Sequence, residues 1–365
     1  MKDSAHDRAF SSLLDGARWT AAWVVALGHV RNEVFPAYTA IVDPSPLLKA
    51  FFFVVSMGQS AVMVFFVLSG FLVGGALAKA PLSVDALVRY AAARFVRLYS
   101  VLVPAFALTA FLAAVRFVQS GGVDNAIFTP PFSLGTLLIN LANLQNVWNR
   151  PYGDNFPLWS LTNECWYYIA FPIGLHAVRI RHRQPAVAAL GLTAAAGLLI
   201  ALSPSIAVYS LIWLLGVGAA VLPWRPGVAL PLVALVVSLT VSRLRFSGGY
   251  FPIDLLTGLA FGAVLLAVQR ETFAPRWLLR LARLNAVLAG FSFSLYVIHV
   301  PIIGLLKTRL RPWPLDPQTI DGLATYAACA IACLAVAYLF SLATERHVYP
   351  LRKRLVALLR PALSR

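Results

Sequence analysis

The chain has 365 residues, of which 60% are hydrophobic and 12% are charged, and its mean hydropathy is +0.77. Soluble domains carry about 25% charged residues, so this composition excludes a soluble α/β enzyme and predicts an all-α, polytopic integral membrane protein. The net charge of +16 comes from Lys and Arg residues spread between apolar segments, which is how membrane proteins are oriented. The predicted partner is therefore the lipid bilayer, with no nucleic acid.

Ten apolar segments follow one another along the chain, each long enough or nearly so to cross a bilayer. They cover residues 17–35, 51–76, 95–116, 157–177, 186–203, 205–222, 228–243, 252–269, 286–306 and 321–343. The segments on the N-terminal side of the membrane contain about twice as many Lys and Arg residues as the segments on the opposite side. Because cytoplasmic segments are enriched in these residues, this predicts that both termini are cytoplasmic. We expect one domain over residues 1–365, with cytoplasmic tails at 1–12 and 346–365 and an extracytoplasmic loop at 117–156.

The first of these segments contains two ionisable residues, Arg18 and His29. Their separation of eleven residues turns an α-helix by about 1100°, so both side chains leave one face, about 16 Å apart along the axis. This distance is roughly half the hydrocarbon thickness of a bilayer. The sequence thus predicts Arg18 at the cytoplasmic end of the span and His29 in its outer half, where an ionisable residue indicates function.

The third segment begins with Arg94 and Arg97, which are three residues apart and share a helix face. Together with Arg18, they predict one basic cluster at the cytoplasmic mouth that would bind an anion. Each arginine taken alone is also explained as an anchor, with its stem in the bilayer and its charge at the interface.

Two later segments add a carboxylate and a second imidazole, Glu164 and His299. A carboxylate inside the bilayer is costly unless it is paired or protonated, so we predict that Glu164 is catalytic and lies near His29 in the outer half. A structural ion pair for Glu164 and a helix-to-helix hydrogen bond for His299 remain alternatives. Four side chains on these two segments are predicted to bind the substrate: His299, Trp159, Asn163 and Tyr296.

Several other residues are assigned structural roles. Gly70 and Gly74 form a GxxxG pattern that allows close helix packing. Asp254 begins a span and is interpreted as a helix N-terminal residue. The three cysteines lack the spacing of a metal site, so no metal is predicted.

Five motifs occur in a fixed order over about residues 10–345. They read LDGARWTAAWVVALGH, MVFFVLSGFLVG, ARFVRLYSVLVP, PLWSLTNECWYYIAFP and SFSLYVIHVPI. This ordered set resembles acyltransferase family 3, with its Arg followed by ten residues and then a His, its Arg-x-x-Arg pair, its Pro-Leu-Trp-Ser-Leu-x-x-Glu and its late Tyr-x-x-His. Any one motif is weak, whereas the ordered set is specific.

The resemblance implies an integral membrane enzyme of about ten helices, here expected in the bacterial inner membrane. Such enzymes transfer acyl groups, most often acetyl, to hydroxyls of sugars, envelope polysaccharides, lipids or antibiotics. It implies acyl-CoA (acetyl-CoA) as donor co-substrate and a carbohydrate, glycolipid or other hydroxyl acceptor. It also carries over five residues as functional positions: Arg18, His29, Arg94, Arg97 and Glu164. One departure is that Glu164 lacks the second, adjacent carboxylate of many members.

The predicted mechanism uses the arginine cluster for the phosphates of CoA, since arginine matches phosphate geometry. Pantetheine would then carry the thioester through one continuous cavity to His29, the general base or transient acyl carrier. Glu164 would orient His29 or position the acceptor. Membrane helices with buried ionisable residues also describe a secondary transporter or flippase, and a membrane glycosyltransferase is a further alternative.

Overall fold

The computed structural model describes residues 5–119, 121, 130–224, 226–242, 251–269, 275–309 and 314–363. Within these ranges the regular structure is helical and contains no β-strand, as the composition predicts. The α-helices, in chain order, are α1 Ala5–Val34, α2 Pro46–Val55, α3 Gly58–Ser69, α4 Gly75–Lys79, α5 Val84–Gln119, α6 Leu134–Leu141, α7 Trp159–Ile180, α8 Pro185–Leu202, α9 Pro204–Val221, α10 Ala229–Val241, α11 Phe251–Val268, α12 Arg276–Ala289, α13 Ser292–Arg309, α14 Ile320–Ala343 and α15 Val348–Leu363.

Helix α1 lies at the centre of the fold and packs against α3, α12, α13 and α14. Small and β-branched side chains such as Ala22, Ala26 and Val30 are buried along it, which lets the neighbouring helices approach closely. Asp7 in the first turn and Arg31 in the last turn have the charges that the helix dipole favours. The helix that carries Arg18 and His29 is therefore held on several sides.

The contact between α3 and α9 is unusually close. A π-helical segment, Gly70–Gly74, continues α3 directly, and such segments are frequent at functional sites. A Cβ atom on Gly70 would overlap the Trp213 carbonyl oxygen, and one on Gly216 would overlap the Val67 carbonyl oxygen. The predicted packing role of Gly70 and Gly74 is confirmed, because a Cβ on Gly74 would also clash with Trp213.

This contact predicts a large difference between two identical substitutions. Gly70→Ala should destabilise the protein by about 1–3 kcal/mol, the usual cost of overpacking. Gly197→Ala is the matched control, because Gly197 lies on α8 and a Cβ there meets nothing within 4 Å. Thermal unfolding in detergent should show a lower Tm for Gly70→Ala alone, and equal Tm values for both variants would contradict the close packing.

Six stretches of helix in the described part of the chain are long and apolar enough to cross a membrane. They are Pro46–Lys79, Val84–Gln119, Pro185–Leu202, Pro204–Val221, Phe251–Val268 and Ile320–Leu359. The pair α12 and α13, bent by 46°, makes a seventh if it is one span. The prediction of ten spans is thus only partly reproduced, since α1 and α7 are long but too polar and α10 has only 13 residues.

Parts of the predicted topology lie outside the described residues. These parts are residues 1–4 and 364–365 of the two tails, residues 120 and 122–129 of the long loop, and residue 243 of one predicted span. The described remainder of the loop contains α6 and a turn in which Asn143 and Asn146 have φ values of 53° and 63°. Asparagine tolerates this left-handed conformation better than most residues.

Candidate active site

The three predicted arginines lie together. Arg18 of α1 and Arg94 and Arg97 of α5 line one cavity of about 400 Å³, together with Glu164 and Tyr296. They meet because α13 packs against both α1 and α5. A basic cavity of this size matches the cluster that the sequence predicts, and we call it the arginine cavity.

The three arginines differ in how far their charges are already compensated. Arg18 pairs with Asp15, one turn earlier, at 3.0 Å. Arg97 pairs with Glu345 at 3.1 Å and lies over the Phe293 ring. Arg94 lies 5.9 Å from the centre of the Tyr168 ring, and no carboxylate in the described part of the chain forms an ion pair with it. Arg94 is therefore the most available cation in this cavity.

Glu345, which pairs with Arg97 of the arginine cavity, was not predicted. It lies just after α14 and is 8% exposed, and its Oε1 accepts a hydrogen bond from the backbone N–H of Ser294 at 2.8 Å. Its other carboxylate oxygen faces Arg97. A sequence signal existed, because an acidic residue directly after a long apolar segment needs a partner, but the partner lies 248 positions away.

The predicted position of Glu164 beside His29 is wrong. Glu164 lines the arginine cavity, whereas Trp159, five positions earlier on α7, lines the cavity that contains His29. Five residues rotate a helix by about 500°, so the two side chains point about 140° apart. Depth along α7 was estimated from the sequence, but the direction of the side chain decides which cavity it enters.

Glu164 ends a chain of hydrogen bonds that reaches α9. The Tyr168 hydroxyl donates to Glu164 Oε2 at 3.0 Å, so it must accept the bond from Ser69 Oγ, also at 3.0 Å. Ser69 in turn accepts from Trp213 Nε1 at 3.1 Å. The Ser69 hydroxyl thus lies among Trp213, Tyr168 and the Glu164 carboxylate.

His29 lines a second cavity, of about 260 Å³, with Arg31, Ser56, Gln59 and Trp159. We call it the histidine cavity. Gln59 is fixed there, because its Nε2 donates to Asp254 Oδ2 at 2.9 Å.

Asp254 does more than begin a helix. It is 2% exposed and accepts hydrogen bonds from Gln59 and, at 2.7 Å, from the Tyr209 hydroxyl. The interpretation of Asp254 as only a helix N-terminal residue was therefore incomplete.

The two histidines are hydrogen-bonded, with 2.7 Å between His29 Nδ1 and His299 Nε2. His299 Nδ1 lies 3.0 Å from the Leu295 carbonyl oxygen, which can only accept, so the Nδ1 of His299 carries a proton. In neutral His299 the Nε2 is then an acceptor, and the proton between the rings belongs to His29 Nδ1. The hydrogen bonds therefore leave Nε2 of neutral His29 as an unprotonated nitrogen.

The rings of this pair are arranged edge to edge. The ring centroids are 5.0 Å apart and the ring planes differ by 13°. The centroid distance equals the 2.7 Å between His29 Nδ1 and His299 Nε2 plus the two ring radii, so the rings lie side by side in nearly one plane. His299 is fully buried, at 0% exposure, and it does not line the histidine cavity. Its predicted role in binding substrate directly does not fit this position, since both ring nitrogens are already occupied.

Arg18 and His29 line different cavities, so the prediction of one continuous cavity along α1 is wrong. Among the described residues, Tyr296 alone borders both the arginine cavity and the histidine cavity. Its hydroxyl donates to the Pro157 carbonyl oxygen at 2.7 Å and lies 2.7 Å from Ser160 Oγ. Tyr296, hydrogen-bonded next to the start of α7, therefore lies at the border of both cavities.

Two predicted substrate residues lie on a third, smaller cavity. Trp159 borders both this third cavity and the histidine cavity, whereas Asn163 borders only the third cavity. No group of three or more His, Cys, Asp or Glu side chains that could hold a metal ion occurs within the described ranges.

Two comparisons with known proteins gave matches. The family model of acyltransferase family 3, described as an acyltransferase domain, matches residues 12–342. A curated relative, acyltransferase MdmB from Streptomyces mycarofaciens, is 28% identical over 173 residues, which is 46% of this chain. The matched part spans 39% of that relative's own length. No solved structure matches.

Proposed function

Because the chain belongs to acyltransferase family 3, we propose that it is a membrane O-acyltransferase that moves an acyl group, acetyl by preference, from acyl-CoA to a hydroxyl of a carbohydrate or glycolipid. The observation that carries this proposal is that Tyr296 borders both the arginine cavity and the histidine cavity. A cationic donor site and a site with an unprotonated imidazole nitrogen are thus neighbours that share one bordering residue.

The proposal includes a topology. We propose ten spans with both termini in the cytoplasm of a bacterial cell, and with the protein in the inner membrane. The helices α1 and α7 then count as spans although they are polar, because their polar residues line internal cavities and do not face lipid. The arginine cavity opens to the cytoplasm, where acyl-CoA is present.

The donor binds in the arginine cavity. Its phosphates are anions, and guanidinium groups bind them through charge-assisted, bidentate hydrogen bonds. Arg94 makes the direct contact, while Arg97 and Arg18, held by Glu345 and Asp15, supply positive potential. Glu164, in the same cavity, positions the donor and not the imidazole of His29.

The acceptor hydroxyl binds in the histidine cavity and is activated there, and the thioester end of the donor reaches it from the arginine cavity when the Tyr296 side chain, which borders both cavities, turns aside. His29 Nε2 takes the hydroxyl proton as the oxygen bonds to the thioester carbonyl carbon. The C–S bond then breaks, and the leaving thiolate receives the proton from the His29 imidazolium. The imidazolium keeps its Nδ1–H directed at His299 Nε2, so no new hydrogen bond has to form during the reaction.

The experiment that tests this function measures the release of free CoA. Purified protein in detergent receives acetyl-CoA and a panel of neutral sugars and glycolipids, and CoA is quantified with a thiol reagent. CoA release that depends on an acceptor, with an acetylated product in mass spectrometry, is expected. Counterflow of a solute across vesicles without consumption of acetyl-CoA would instead identify a secondary transporter or flippase.

A further inference from the structure

The third cavity has a volume of about 250 Å³ and lies where the loop before α7 meets the first turns of α7 and α9. Its polar lining is uncharged: Gln145, Asn146, Thr162, Asn163, Ser203 and Ser205. This distinguishes it from the arginine cavity, because an uncharged lining does not compensate a phosphate or a carboxylate.

Two amide side chains of this lining are buried without complete hydrogen bonding. Gln145 is 0% exposed and Asn163 is 3% exposed. Gln145 Oε1 and Asn163 Nδ2 form no hydrogen bond of normal geometry, and the Asn163 side chain lies near the Tyr167 hydroxyl. A buried polar atom without a partner destabilises the fold, so a ligand that supplies the missing bond is favoured. One atom is an acceptor and the other is a donor, so a hydroxyl group, which both donates and accepts, is complementary to both.

The surroundings hold these amides in place. Gln145 Nε2 donates to the Leu158 carbonyl oxygen at 3.2 Å, and Trp166 Nε1 donates to the Asn143 carbonyl oxygen at 2.9 Å. The backbone N–H of Asn146 donates to the carbonyl oxygen of Asn149 at 2.6 Å. A turn fixed in this way presents its polar groups without a large ordering cost on binding.

Trp159 joins this cavity to the histidine cavity, because its side chain borders both. Its ring is held by edge contacts with Phe66 at 5.8 Å and Tyr209 at 5.6 Å between ring centres. An aromatic ring beside hydroxyl-binding amides combines an apolar surface with polar groups that fix orientation.

We propose that the third cavity binds an uncharged sugar ring of the acceptor, next to the ring whose hydroxyl is acylated at His29. This inference rests on the proposed function and specifies its substrate class as a neutral carbohydrate of at least two rings. The third cavity, at about 250 Å³, is smaller than the roughly 300–1,000 Å³ of sites that bind drug-sized ligands. Its size therefore fits a single sugar ring. Gln145 and Asn163 bind its hydroxyls, and Trp159 lies between the two sugar sites.

The test compares binding by wild-type protein, Gln145→Met and Asn163→Leu, with Gln119→Met as the control because Gln119 is exposed at the end of α5. Purified protein in detergent is titrated with maltose, cellobiose, lactose and trehalose, and binding is followed by the shift in Tm and by tryptophan fluorescence. We expect at least one disaccharide to bind, with a Kd about tenfold weaker in each cavity variant, which corresponds to one lost hydrogen bond. The control should bind like wild type.

Three results would overturn the proposal. They are binding of none of these disaccharides to wild-type protein, equal Kd values in folded cavity variants and wild type, and stronger binding of glucose 6-phosphate than of every neutral disaccharide. Failure of the proposed function is measured separately. If disaccharides bind and the cavity variants weaken that binding, but no acceptor gives CoA release, the sugar site is supported and the transferase proposal fails.

Discussion

His29→Ala is expected to lower kcat for acyl transfer by about 10²–10⁴-fold, the usual contribution of a general base. The imidazole is the group in the histidine cavity whose Nε2 is left unprotonated by its own hydrogen bonds. The measurement is acceptor-dependent CoA release at saturating acetyl-CoA. His182→Ala is the control, since His182 is exposed and lies outside both cavities. A His29→Ala protein with wild-type kcat would remove His29 from the chemistry.

Two substitutions of His299 distinguish a role in positioning His29 from a purely structural role. His299→Gln places an amide oxygen at the position of Nε2 and can still accept the hydrogen bond from His29 Nδ1, whereas His299→Leu cannot. We therefore expect His299→Leu to lower kcat at least tenfold with little change in either KM, and His299→Gln to recover most of that loss. Equal kcat values for the two variants, at equal Tm, would contradict the assigned tautomer.

The spacing of residues within single helices predicted one part of the site correctly. Arg94 and Arg97 are three residues apart and do share a cavity with Arg18, because a helix fixes the relative directions of its own side chains. The polar residues of α1 and α7 likewise mark helices that line both cavities, while their functional roles stay predictions.

The relations between helices could not be obtained from the same pattern. Glu164 was expected beside His29 from its depth in the bilayer, but depth does not specify the direction in which α7 turns the side chain. Glu345 meets Arg97 only because α14 and α15 bring it against α5. The division into two cavities depends on Tyr296 bonding to Pro157 and Ser160, which are long-range contacts.

The second large effect concerns the donor and follows from how the three arginines are paired. Arg94→Gln is expected to raise the KM for acetyl-CoA by about 10–100-fold and to leave the acceptor KM unchanged, because a hydrogen bond to a charged group contributes about 1.5–3 kcal/mol. Arg97→Gln should chiefly lower Tm, since it leaves the buried carboxylate of Glu345 without its cation.

The matched control is Arg89→Gln, which removes the same charge from the same helix. Arg89 lies five residues before Arg94, so the two side chains point about 140° apart. It pairs with the half-exposed Asp85 and does not line the arginine cavity. Acetyl-pantetheine, which has no phosphate, supplies the decisive comparison. Wild-type protein should use acetyl-CoA far better than acetyl-pantetheine, and Arg94→Gln should reduce this preference because the lost contact is a phosphate contact. If the preference is the same in Arg94→Gln and in Arg89→Gln, the arginine cavity does not bind the phosphates of the donor.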